Sequence, residues 1–161
     1  MIVVSNTSPL VNLAAVGQLE LLQRLYDKVV IPQSVHDEIV IAGAGQPGAI
    51  EIATFDWIET RQVAGRNLVA SLQLELDDGE AEAIALTVEL KADLILLDER
   101  KGRVIAARLG LRFIGLLGML VEAKHRGLIS AVRPIMNDLI GKAGFWIGQE
   151  LYDYILQVAE E

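Results

Sequence analysis

Asp93-Leu94-Ile95-Leu96-Leu97-Asp98 sets four consecutive aliphatic residues between two carboxylates. Unbroken aliphatic character of this kind marks a strand buried on both faces, the situation of a parallel sheet covered by helices. Working outward, Ile2–Ser5, Val29–Ile31 and Phe113–Ile114 are further short aliphatic runs bounded by polar or turn residues. The stretches between them carry helical spacing, so the chain reads as a βαβ alternation: an α/β protein with a parallel sheet, helices on both faces and right-handed crossovers. Trp57–Val63 alternates apolar and polar residues and suits an edge strand or an extended connector.

The helices follow from their stripes and stops. Ser8-Pro9 reads as an N-cap followed by proline at the first helical position, with Leu10, Leu13 and Ala14 on one buried face and Gly17 closing the turn. Leu19, Leu22, Leu25 and Tyr26 give a second helix, and Pro32 opens a third in which Val35 and Ile39 point inward. Ala42–Gly48, with three glycines and a proline, reads as a loop. Arg66–Leu76 is helical, and Asp78–Lys91 is the strongest helix, with Ala81, Ile84, Ala85 and Val88 on one stripe. Segments 116–124, 131–140 and 149–158 make three more.

The 161 residues fit one domain spanning 1–161, and 52% hydrophobic with 22% charged residues is ordinary for such a protein. No apolar run approaches the roughly 20 residues of a membrane span, and the first residues lack a basic leader, so no membrane association and a cytoplasmic location are expected. Without cysteine there is no thiolate metal site; carboxylates, amides and two histidines remain as ligands. A net charge of −8 opposes loose binding to nucleic acid, so any such contact must be local. Arg100, Lys101 and Arg103, followed by Arg108 and Arg112, are the candidate contact; a solvated helix face explains them equally well.

Four oxygen-bearing groups stand where strands or helices begin or end. Asn6 follows the first strand, with the hydroxyls of Thr7 and Ser8 beside it; alone it reads as a turn residue. Asp98 ends the Leu94–Leu97 strand, either as a ligand or as the N-cap of a helix starting near Lys101, and Glu99 beside it blurs which acid does what. Glu80 and Glu82 lie roughly 200° apart around a helix, so they cannot share a site. Glu80 flanks the buried stripe and is preferred, although Asp77-Asp78-Gly79-Glu80 also has capping-box spacing. Glu38 sits on the border of its helix's buried face, with His36 and Asp37 expected to be more exposed. Oxygen-only ligands at separate element ends are what a magnesium or manganese site requires. Carboxylates gathered without a cation would repel one another.

Ser5-Asn6-Thr7-Ser8-Pro9-Leu10, Ile31-Pro32 with Val35 and Glu38, Gly79-Glu80-Ala81-Glu82-Ala83-Ile84-Ala85-Leu86, Asp93–Asp98 with Arg100-Lys101-Gly102, and Gly115-Leu116-Leu117-Gly118 follow one another in an order and spacing that resembles PIN-domain proteins. Within them the chain is similar to a bacterial and archaeal branch of VapC-like toxins. The resemblance spans nearly the whole chain. It implies a three-layer α/β/α sandwich around a central parallel sheet of four to five strands, and a Mg2+- or Mn2+-dependent endoribonuclease. Carried over, the metal-binding and catalytic residues are Asn6, Glu38, Glu80 and Asp98; Thr7, Ser8, Glu82 and Glu99, beside them in sequence, are the candidates for supporting roles. It also implies a toxin role, an RNA substrate, a small antitoxin that blocks the site, and a homodimer. The chain departs from the family pattern at Asn6, where PIN enzymes normally have Asp. An amide oxygen still ligates a hard cation but removes one negative charge and presents a competing donor. The alternative is therefore a weakened PIN-like module that binds RNA or protein without cutting. A nucleotide-binding reading of the same architecture lacks a Gly-x-Gly-x-x-Gly fingerprint after the first strand.

The C-terminal helix, about 148–160, and the residues before it concentrate aromatics in a chain with only 5% of them. Phe145, Leu151 and Ile155 are expected to cover the core, and Trp146 and Tyr154 to face outward, toward an interface.

Overall fold

The computed structural model describes residues 1–161. Five strands, β1 (Val3–Ser5), β2 (Val29–Pro32), β3 (Ile58–Arg61), β4 (Leu94–Leu96) and β5 (Phe113–Ile114), form one sheet in the order β3-β2-β1-β4-β5. Every pairing is parallel. The 57–63 segment therefore supplies a true edge strand. At the centre, Val3, Val4 and Ser5 register with Leu94, Ile95 and Leu96.

Alternate strand residues enter two separate cores. Val3, Val29, Ile31, Leu94 and Leu96 face one, and Val4, Val30, Ile95 and Leu97 face the other, so both sides of the central strands are dry. The larger core is covered by α1 (Thr7–Ala15), α2 (Leu21–Tyr26), α3 (Gln33–Asp37), α4 (Ala49–Thr54), α8 (Leu116–His125), α9 (Arg133–Lys142) and α10 (Gln149–Val158). The smaller lies under α5 (Arg66–Leu72), α6 (Asp78–Leu90) and α7 (Arg100–Arg108). The result is the α/β/α sandwich expected. No helix is long and apolar enough to cross a membrane.

The structure corrects several local readings. Helix α1 starts at Thr7 with Asn6 at its N-cap, so Ser8 and Pro9 lie inside its first turn. Proline is tolerated there because first-turn N–H groups have no intrahelical partner. The helix opened by Pro32 changes pitch at Glu38 into a π-helical turn, Glu38–Ala42, which the regular spacing of Val35 and Ile39 does not disclose. Glu38 is exposed, whereas His36 and Asp37 are half-buried. Helix α4 leaves no clear mark in the sequence, because only Ala49 and Ile52 of its six residues are buried and no apolar stripe forms. Val88 is solvent-facing, and α6 is instead buried almost all round by Ala81, Ala83, Ile84, Ala85 and Leu86.

Candidate functional site

From β1 the chain moves to β2 and β3 on one side, then crosses back to β4 on the other, which makes the carboxyl ends of β1 and β4 the switch point of the sheet. Connections diverge there and leave a crevice, the usual ligand position in open parallel sheets. Asn6 sits in it. Its N–H donates to the Leu96 carbonyl at 3.1 Å, its backbone is extended, and its side chain, on a residue only 4% exposed, makes no cap bond to α1. Glu38 arrives from the junction of α3 and the π-turn, and its Oε2 accepts a 2.8 Å hydrogen bond from Thr7 Oγ1.

These groups meet above the N-terminus of α6. The position a Cβ would take on Gly79 lies 3.1 Å from Glu38 Oε2, 3.4 Å from Asn6 Oδ1 and 3.6 Å from Thr7 Oγ1. Three oxygens, two from neighbouring residues at the start of α1 and one from the α3–π-turn junction, thus gather over a residue with no side chain, at the positive end of a 13-residue helix, which favours the Glu38 carboxylate. A cavity of about 240 Å³ opens beside them, rimmed by Asn6, Thr7, Ser8, Glu38, Asp77 and Glu99.

Glu80 and Asp98 are held differently. Glu80 closes a capping box: its N–H donates to Asp77 Oδ1 at 2.8 Å, and its Oε2 accepts from the Asp77 N–H at 3.3 Å. Burial, and then the charge of Asp77, push its carboxyl above the usual range. Asp98 does not cap α7, whose N-cap is Glu99; its Oδ1 instead accepts from the Leu116 N–H at 2.9 Å, at the start of α8. Burial raises the Asp98 carboxyl above its ordinary range, against the opposing pull of that N–H and of Arg103. Arg103 Nη2 is 3.7 Å away, while its Nε donates to the Leu97 carbonyl at 2.8 Å and its guanidinium lies 5.5 Å from the Phe113 ring centre. Asp98 Oδ2 is buried with no partner.

Among the supporting candidates, Glu82 is turned away from the crevice. It accepts from the Ser34 N–H at 3.1 Å and pairs with Arg66 at 3.2 Å, tying α6 to α3. Glu99 is exposed, borders the crevice and makes no hydrogen bond through its side chain. Arg100 and Lys101 stay exposed, whereas Arg103 is drawn inward to Asp98. Sequence reasoning missed the rim role of Asp77 and the gap at Gly79; the glycine directly before the favoured acid was the available signal.

In donor type the residues fit a hard divalent cation: an amide oxygen, a hydroxyl and a carboxylate converge, and Asp98 holds one buried oxygen unpartnered. No three acidic or histidine side chains lie close enough to surround an ion by themselves. The structure thus brings together Asn6, Thr7 and Glu38, and keeps Glu80 and Asp98 in bonds to backbone N–H groups.

An all-parallel sheet covered on both faces, with oxygen donors gathered at its switch point, defines a three-layer α/β/α protein with a polar crevice. A family model, DUF3368, described as a PIN domain, matches residues 2–161, and the chain belongs to that PIN-domain family. The fold is a nuclease fold. A search of the curated proteins finds no match.

Proposed function

We propose that this chain is a Mg2+- or Mn2+-dependent endoribonuclease, the toxin of a toxin–antitoxin pair, acting in the cytoplasm as a homodimer and restrained by a small antitoxin protein. The observation that carries the reading is the convergence of Asn6 Oδ1, Glu38 Oε2 and Thr7 Oγ1 over Gly79 at the sheet's switch point. Asn6, Glu38, Glu80 and Asp98 would hold the cation. When bound, it would supply Lewis acidity for in-line hydrolysis of an RNA phosphodiester. Thr7 fixes the Glu38 carboxylate through its 2.8 Å hydrogen bond, and Ser8 borders the same cavity. To join the site Glu80 would have to turn, giving up the 3.3 Å bond to Asp77, and Asp98 would have to bring its buried, partnerless Oδ2 toward the crevice.

The test is cleavage of RNA by clean protein with magnesium or manganese, beside Glu38→Gln and Glu80→Gln. Each substitution is expected to lower the rate by about 10–100-fold or more, since losses of that size follow even from changing residues that only support a metal ligand. Equal cleavage by wild type and both variants overturns the assignment and identifies a contaminating nuclease.

A second reading is a PIN-like module that binds RNA or protein without cutting, favoured by Asn6 and by the separation of the acids. Under it, Asn6→Asp gains metal affinity in calorimetric titration, and cleavage appears only in the variant. Full activity of the wild-type protein excludes it.

A further inference from the structure

The crevice continues into a second, larger groove of about 780 Å³; the two share Ser8, Asn12 and Glu99. The volume lies within the roughly 300–1,000 Å³ of pockets that enclose drug-sized ligands. Its walls are unlike the crevice. Trp146 stands at its edge 86% exposed, in a chain whose other tryptophan, Trp57, is 6% exposed. The indole is propped against Gly148, where a Cβ would come within 3.2 Å of the ring. Phe113 lines the same groove, with the Arg103 guanidinium over its face. Arg103 keeps its side chain 37% exposed although it is anchored to Leu97 and Asp98.

We infer that this groove is a nucleobase subsite, in which a base of single-stranded RNA stacks on Trp146 while the neighbouring phosphodiester lies in the crevice. The inference rests on the ribonuclease reading for the identity of the strand. Charge supplies the argument for stacking. With a net −8 and Asp98 and Glu99 at the groove's inner end, the phosphate-neutralising attraction that dominates most nucleic-acid binding is largely absent. Affinity must come from a contact that does not depend on charge, and every base has a π-face for an aromatic side chain to cover. The polar groups interrupting the aromatic walls, Ser8, Asn12 and Arg103, suit base edges and one phosphate better than they suit the continuous apolar stripe of a protein helix.

The test titrates the full chain, in EDTA so that no cleavage occurs, with a mixed-sequence 12-nucleotide single-stranded RNA and with an abasic ribose-phosphate strand of equal length. Wild-type tryptophan emission should be quenched by the RNA and not by the abasic strand, because the exposed indole is the one that solutes reach. Trp146→Ala should bind the RNA about tenfold more weakly or worse, and Trp146→Phe should retain most of the affinity. Circular dichroism of both variants should match wild type, since so exposed a side chain contributes little to packing. Unchanged affinity in Trp146→Ala overturns the subsite, as does equal quenching by the abasic strand. Quenching that depends on protein concentration without RNA assigns the face to a second copy of the chain and likewise overturns it. The two readings fail separately. Trp146-dependent RNA binding by a protein that cuts nothing leaves the subsite standing and removes the nuclease, whereas cleavage with affinity indifferent to Trp146 does the reverse.

Discussion

Asn6 and Gly79 decide the character of the crevice between them. An amide at position 6 leaves Glu38 as the only charged group in the convergent trio, so a cation there meets less negative charge than an aspartate would provide. Gly79 provides the room. Alanine at this position adds helix preference worth roughly 0.5–1 kcal/mol but places a methyl group 3.1 Å from Glu38 Oε2 and 3.4 Å from Asn6 Oδ1. Gly79→Ala is therefore expected to leave the thermal midpoint unchanged or slightly raised while weakening magnesium or manganese binding in calorimetric titration. A fall in midpoint with metal binding intact would show that the gap serves packing instead. The sequence showed Asn6, Glu38, Glu80 and Asp98 as polar groups at element ends, because strand runs and helix stripes reveal where elements stop. It did not show which of them meet, since that depends on how α6 is set against β1 and on a π-turn whose residues look like ordinary helix.

Helix ends in this chain are capped from a distance. Glu82 reaches the first turn of α3, Glu89 accepts from the Ala64 and Gly65 N–H groups before α5, Asp98 serves α8, and Glu161 accepts from the Val132 and Arg133 N–H groups at the start of α9. Much of the acidic excess is thus tied to positive helix ends rather than gathered around one ion. Such caps are invisible in sequence, because the carboxylate and the N–H groups it serves lie as far apart as Glu82 and Ser34. Only the Asp77–Glu80 box, closed within four residues, was legible. At Glu161, partial burial opposes ionisation, but two backbone donors and Lys124 outweigh it and hold the carboxyl below the usual range. A depressed acid stabilises the fold above its unfolded pKa, and that contribution disappears as pH falls through the folded value. Glu161→Gln should cost about 1 kcal/mol near neutral pH in urea unfolding, the size of a lost cap. The cost should shrink below the ordinary carboxylate range, where wild type is protonated as well. A pH-independent difference would mean that packing, not charge, holds α9.

Across the whole molecule, hydrophobic periodicity was a sufficient guide. Four strands, the parallel sense and both helical layers follow from aliphatic runs and 3.6-residue stripes, and only the short α4 and the π-turn escaped. In the C-terminal segment the aromatic and aliphatic pattern holds for four residues: Ile155 is buried and Phe145 partly so, while Trp146 and Tyr154 face outward. Leu151, expected in the core, is 47% exposed and lines the groove instead. Parallel topology also governs assembly. The sheet's central pair, β1 with β4, joins residues 91 positions apart, and no hairpin exists to seed it. Contacts this distant along the chain slow folding, so refolding from urea should be slower than that of a helical bundle of equal length, as stopped-flow fluorescence of the buried Trp57 would report. A nascent polypeptide halted before Leu94 has one wall of the crevice and lacks the other, and its first strand offers an open flank to any neighbour. Translation intermediates of this protein should therefore be prone to clump until the fourth strand slots in beside the first.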